Sequence, residues 1–308
     1  MNKNLLRWGI YFILCIIWGS SFKLMKDSAA GLSAIEIAAL RIFSAGLVFV
    51  PLAFFHISKV PRAKTGTVIL SAVFGNLLPA FLFAIAMTKI DGSIGGILNS
   101  LTPICVVVIG ITFFKDRIVR QKITGVLIGF LGVVLLILAP ALTGERTISF
   151  SNIGFMLMIP LATLLYGINI NMVSHYLKGV NPIHTATVSL ACMTIPTGIV
   201  LWQQGFFQLD FSNKVTGNAV LSAVALGVVG SAIATALFYI VVQKAGGLFA
   251  SLVTYGIPFV ALSWGLWDNE PVTWMEVVSL LIILAGVYMA NRPEKKKATP
   301  DDVASLPE

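Results

Sequence analysis

Residues 75–103 read GNLLPAFLFAIAMTKIDGSIGGILNSLTP, and residues 230–258 read GSAIATALFYIVVQKAGGLFASLVTYGIP. The two stretches lie 155 residues apart and align without a gap, with identity at seven of 29 positions. Gly75, Leu82, Phe83, Ile85, Lys89, Gly92 and Pro103 fall on Gly230, Leu237, Phe238, Ile240, Lys244, Gly247 and Pro258. So apolar a composition yields about two such identities by chance, so the chain reads as a duplication. Each stretch is interrupted by a lysine and glycines, and each ends in a proline that removes a helix donor.

The surrounding composition says what kind of element is duplicated. Of 308 residues, 57% are apolar and 11% charged, where a soluble domain carries roughly 25% charged. This excludes a disordered chain, a nucleic-acid binder and most soluble enzymes. Apolar runs fall at about 7–23, 35–55, 67–88, 92–114, 122–140, 152–177, 182–204, 217–242, 247–267 and 273–290. Ten helices of about 20 residues cross ~30 Å of hydrocarbon and leave only short connections. A span in lipid must satisfy its own backbone hydrogen bonds, so helices are the expected form. The fold class is an all-α membrane protein. Residues 1–22 have the charge and apolar pattern of a signal peptide, but Lys23 and Lys26 suit a cleavage region poorly, so the segment reads as a retained first helix. Cys15, Cys105 and Cys192 are widely spaced, which implies neither a disulfide framework nor a metal cluster, and no cofactor is expected.

The net charge of +8 matches basic loops facing anionic lipid. With a cytoplasmic N-terminus, 15 basic residues fall on the cytoplasmic side and five on the other, which puts both termini in the cytoplasm of a plasma (inner) membrane. Five helices per half is an odd number, so the halves are expected to be inserted upside down relative to each other. The Lys115–Lys122 loop holds four basic residues, and its mate Asp268-Asn269-Glu270 holds none and two acids. The expected units are 1–145, 146–291 and a cytoplasmic tail 292–308.

Reactive motifs are scarce. The chain has no HExxH, no phosphate-cradling glycine loop and no paired intramembrane carboxylates, so an enzyme is not expected. His56, His175 and His184 fall near span ends as ordinary interfacial histidines. What remains is a set of polar and helix-breaking residues inside the spans, where inverted-repeat transporters hold solute between their halves. The fourth span puts Ser93, Gly96, Ser100 and Pro103 on one face, with Asn99 and Thr102 beside it. The ninth puts Ser251, Tyr255 and Pro258 on the equivalent face, with Thr254 alongside. Small residues of this kind also serve close helix packing. Asn76, Asn99, Asn169 and Asn171 need hydrogen-bond partners in hydrocarbon, from packing or from a wet cavity. The candidate solute-binding residues are Trp18, Asn76, Asn99, Ser100, Tyr166, Asn169, Ser231, Thr235, Tyr239 and Tyr255, a mostly apolar set with a few orienting donors. Pro79, Pro103 and Pro258 are candidate kinks or gates. Glu36 and Arg41 are the notable intramembrane charges. Their spacing of five puts them on different faces, and Glu36 is a candidate for proton coupling.

These residues resemble a known family. Trp18-Gly19-Ser20-Ser21-Phe22, the Glu36 to Arg41 stretch, the Pro103 and Pro258 segments, and Asp116-Arg117 and Glu270-Pro271 before a glycine-rich last helix look like the EamA-type branch of the drug/metabolite transporter superfamily. The likeness covers about residues 8–290. It implies ten helices in two inverted five-helix repeats and a central cavity lined chiefly by helices 1, 3, 4, 6, 8 and 9. It also implies export of metabolites, often amino acids, or of drugs. Asp116 stands where the family usually has Glu, and Tyr166-Gly167 replaces a second Trp-Gly. The membrane-embedded Glu that small multidrug relatives carry in their first helix is absent here. The expectation is a secondary transporter, an exporter of small metabolites such as amino acids or related amphipathic solutes, working by alternating access as a monomer or homodimer. Drug efflux by the same fold, a membrane-embedded enzyme and an assembly partner are the alternatives.

Overall fold

The computed structural model describes residues 3–90, 95, 98–142, 152–267 and 274–292. Every regular element among them is helical. Helix α1 spans Lys3–Ser28 and α2 Ala34–His56; α3, Arg62–Ala72, runs through a π-turn at Val73–Leu77 into α4, Leu78–Ala86. Next come α5 (Thr102–Phe113), α6 (Arg120–Leu142), α7 (Ile153–His175) and α8 (Pro182–Gln203). Helix α9, Lys214–Gly227, passes through a second π-turn at Val228–Ile233 into α10, Ala234–Ala245. A short α11, Gly247–Ser251, precedes α12, Val253–Trp267, and α13, Trp274–Asn291.

Among the described residues, six helical stretches are long and apolar enough to cross a membrane: Leu6–Ser28, Ala34–Lys59, Arg62–Ala86, Ile153–His175, Pro182–Gln203 and Lys214–Ala245. Shorter apolar helices run over Thr102–Phe113, Gly247–Val260 and Val277–Asn291. The outer surface is apolar too: Phe54 is 77% and Phe113 80% exposed. In water such a face would be a liability, and in hydrocarbon it is the solvated one.

Local chemistry sets the helix ends. The Ser33 hydroxyl accepts from the Glu36 amide over 3.3 Å, and the Glu36 carboxylate accepts from the Ser33 amide over 2.7 Å, a reciprocal cap that starts α2. Asn181 and Asn213 start α8 and α9, each with a side-chain oxygen accepting an amide at 2.9 Å. Within the spans, hydroxyls find partners one turn back. Ser44 donates to the Leu40 carbonyl and Ser279 to that of Met275, both over 2.7 Å.

The main pairings are α6 with α13, α2 with α8, α1 with α12 and α9, and α7 with α4 and α5. Helices α6 and α13 touch through backbone: a Cβ on Gly129 or on Gly286 would overlap the other helix or a side chain wedged beside it. Small residues at such a contact replace the hydrophobic drive that lipid cannot supply.

Three sequence expectations shift. The first span continues beyond 23 to Ser28, because the exposed Lys23 and Lys26 keep their charges outside while their stems lie along the helix. The fourth and ninth spans are not continuous, since a turn at Ser100-Leu101 precedes α5 and Leu252 separates α11 from α12. Ser93, Gly96, the Asp268-Asn269-Glu270 loop and the tail from residue 293 lie outside the described residues. The duplication gains a backbone signature: the π-turns begin at Val73 and Val228, positions that the 155-residue offset makes equivalent.

Candidate functional site

The two π-turns build the centre of the molecule. A π-turn carries an extra residue within the helix and so redirects the groups beside it. The first presents Gly75 and Asn76, the second Gly230 and Ser231. Gly75 meets the Asn169 carboxamide of α7 so closely that a Cβ would overlap it. The Asn76 Oδ1 accepts from the Thr235 hydroxyl of α10 over 2.9 Å. The Gly230 carbonyl accepts from the Trp18 indole of α1 over 3.0 Å, and the Ser231 hydroxyl accepts from Nε of Arg41, on α2, over 2.7 Å. Each of these contacts joins one half of the duplicated chain to the other.

Between them lies a cavity of about 110 Å³. Aromatic pairs form part of its wall: Trp18 packs on Phe238 with ring centres 5.2 Å apart, and Phe83 on Tyr166 at 6.2 Å. Arg41 is the sole charged side chain among the described wall residues. It lies eight residues into α2, about 10 Å along the axis, and its Nη groups have no hydrogen-bond partner among the described residues. The Oδ1 atoms of Asn99 and Asn169 are buried and likewise lack a described partner. Buried acceptors of this kind call for a donor.

Seven of the ten sequence-chosen residues reach the cavity wall: Trp18, Asn76, Asn99, Tyr166, Asn169, Thr235 and Tyr239. Ser231 is buried behind Arg41 and touches the site through it. Ser100 is buried off the wall. Tyr255 does not reach this cavity: its ring lies against Gly129, and its hydroxyl donates to the Val126 carbonyl of α6 over 2.7 Å. Leu252 interrupts the ninth span just before it, so Ser251 and Thr254 face the cavity and Tyr255 turns away. In the fourth span the flanking Asn99 and Thr102 are on the wall. Asn171 is a packing residue, donating to the Val106 and Gly167 carbonyls over 3.1 and 2.9 Å.

The prolines divide in the same way. Pro103 is the second residue of α5, after a turn, where a missing N–H costs little, whereas Pro79 lies inside the continuous span Arg62–Ala86, just after the π-turn. Pro258 lies inside α12 and leaves the Thr254 carbonyl without its helical donor. The repeat-mate prolines therefore do not bend equivalent points. Glu36 is committed to the cap of α2 and is not on the cavity wall.

Several site features were not singled out from sequence. Ser21, Phe22 and Met25 join Trp18 on the cavity face of α1, and their spacing of three, four and seven was the available signal. His175 Nε2 lies 2.9 Å from Asp116 Oδ1 while its Nδ1 lies 2.9 Å from the Asn171 carbonyl, clasping the ends of α5 and α7. The His56 and His184 rings stand 4.7 Å apart. All three cysteines are free.

Comparison with known proteins agrees with this architecture. The model of the EamA-like transporter family matches twice, over residues 7–138 and 153–292. A protein of Archaeoglobus fulgidus named as an uncharacterized transporter is 26% identical over 289 residues, covering 93% of this chain and 99% of its own. A chloroplastic WAT1-related protein of Arabidopsis thaliana is 23% identical, covering 94% of this chain and 70% of its own. A Bacillus subtilis protein named as the uncharacterized transporter YdfC is 25% identical, covering 88% of this chain and 86% of its own. A protein of known crystal structure shares the fold with a TM-score of 0.69 at 16% identity, covering 92% of this chain and 95% of that one. The transporter relatives agree with a multi-pass membrane carrier of small molecules rather than an enzyme.

Proposed function

The chain belongs to the EamA-like transporter family, and on that premise we propose that it exports small metabolites, amino acids or related amphipathic solutes, across the plasma membrane by alternating access. In this reading ten spans form two inverted five-helix repeats, 1–145 and 146–291. Both termini and the tail 292–308 face the cytoplasm.

The observation that supports it best is the polar seam at the cavity. Trp18 to Gly230, Arg41 to Ser231 and Thr235 to Asn76 all run from one half to the other. Rocking the halves exchanges these bonds for bonds to solute, which is how a central site opens to one side at a time. The aromatic pairs grip an apolar body, and Asn76, Asn99, Asn169, Thr235 and Tyr239 orient its polar end. Tyr166 closes one wall beside Phe83. The interruptions at Ser100-Leu101 and Leu252 and the proline in α12 are the points where the spans flex.

The test is flux of labelled aromatic and aliphatic amino acids through proteoliposomes, with and without a pH gradient. Saturable flux is expected, reduced at least about tenfold by Asn99→Ala. Folded protein that moves no member of a broad metabolite panel would overturn the reading.

A further inference from the structure

The charge of Arg41 has no counter-ion in the described structure. The side chain lines the central cavity, Ser231 holds its Nε at 2.7 Å, and the rest of the guanidinium donates to no described residue. No Asp or Glu is among the described wall residues. Glu36, the nearest acid in sequence, is engaged in the cap of α2 with its Oε2 2.7 Å from the Ser33 amide. An unpaired cation inside a membrane protein is expensive and is the default sign of a functional site. Guanidinium presents its remaining donors as a planar fork, the geometry that a carboxylate matches with two parallel hydrogen bonds.

We infer that Arg41 is the specificity-determining residue of the cavity and that the solute it selects carries a carboxylate, held on the free edge of the guanidinium while Ser231 fixes the other edge. This rests on the cavity being the transport site. The rest of the wall narrows the anion. The unpartnered Oδ1 atoms of Asn99 and Asn169 are acceptors. They repel a doubly charged phosphate and favour a monoanion that also brings an N–H donor. Trp18, Phe83 and Phe238 leave the remainder of the space to an apolar body. A cationic solute meets uncompensated repulsion from Arg41.

The test uses full-length protein in proteoliposomes and four probes of one skeleton: 3-phenylpropionate, its neutral amide, 3-phenylpropylamine and 2-phenylethyl phosphate. Affinity is read by ligand-dependent thermal stabilisation and by competition with flux. The carboxylate is expected to bind the wild type at least about tenfold more tightly than the amide, with the amine and phosphate weaker than the carboxylate. Arg41→Lys keeps a preference for anions with reduced affinity, and Arg41→Gln makes carboxylate and amide equal. The wild-type comparison stands even where a variant fails to fold. Equal binding of carboxylate and amide, or preference for the amine, overturns the assignment and leaves transport intact where flux persists. Preference for the phosphate overturns the carboxylate. An unchanged carboxylate preference in folded Arg41→Gln overturns the role of Arg41. Binding of no probe, together with no flux of any metabolite, overturns both this inference and the transport reading.

Discussion

The Thr235 hydroxyl donates to the Asn76 carboxamide oxygen over 2.9 Å, tying the first π-turn to the helix that follows the second. Both side chains are buried, so the bond lies across the seam that the halves share. Thr235→Val keeps the shape and leaves Asn76 Oδ1 without its donor. We expect about 1 kcal/mol of destabilisation. A double-mutant cycle with Asn76→Ala, read by thermal unfolding in detergent, should give a coupling of about 0.5–1.5 kcal/mol. Coupling indistinguishable from zero would mean the bond does not form in the membrane protein.

Gly75→Ala tests the approach of the first π-turn to α7. The added methyl overlaps the Asn169 carboxamide and must push it into the cavity or straighten the turn. The expected cost is about 1–3 kcal/mol of stability. Transport should fall at least about tenfold in protein that still folds, since a misplacement of about 1 Å has that effect on a positioned site. Unchanged transport would place Asn169 outside the solute's reach.

Tyr255→Phe and Tyr239→Phe separate packing from binding. The Tyr255 hydroxyl donates to the Val126 carbonyl, away from the cavity, so its removal should lower stability by about 1 kcal/mol and leave half-saturation constants unchanged. Tyr239 lies on the cavity wall and donates its hydroxyl to the carbonyl of the buried Ser71 over 3.4 Å, so its removal should alter those constants. Kinetics on both variants decide the matter, and a transport defect confined to Tyr255→Phe would reverse the assignment.

Gly286→Val probes the contact of α13 with α6. A branched side chain has no room against the Gly129 and Gly125 backbone, and two helices forced apart lose packing that lipid does not replace. The expected loss is at least about 2 kcal/mol, measured by unfolding in detergent. Val277, 49% exposed on the outer side of the same helix, should accept Ala within about 0.5 kcal/mol.

The duplicated frame was legible because apolar length and helix-breaking residues mark spans directly. Asn76, Asn169, Thr235 and Tyr239 were legible as cavity residues because buried carboxamides and hydroxyls need partners. Helix faces were harder. In lipid both sides of a span are apolar, so periodicity does not tell wall from exterior. The Ser251 face therefore included Tyr255, because nothing in the residue types near Leu252 announces the interruption that turns Tyr255 away. The π-turns were equally silent, since one extra residue alters hydrogen-bond register without altering composition. Arg41 was legible as a charge, but not its contact with Ser231, 190 positions along the chain.

The matched π-turns make the length of these two segments matter more than their spelling. Across them only Val73 with Val228 and Gly75 with Gly230 coincide, while Asn76 stands opposite Ser231 and Leu77 opposite Ala232. Deleting one residue from either turn and restoring the α repeat would leave the helix beyond it nearly in phase but would remove the extra residue that redirects the groups beside it. On one side that would change how Gly75 and Asn76 are presented to the cavity; on the other it would change Gly230 and Ser231. Drift in this chain is thus free to rewrite letters such as Phe74 and Leu77 within the first turn, whereas a single in-frame codon loss there would undo the redirection that brings Asn76 to the seam.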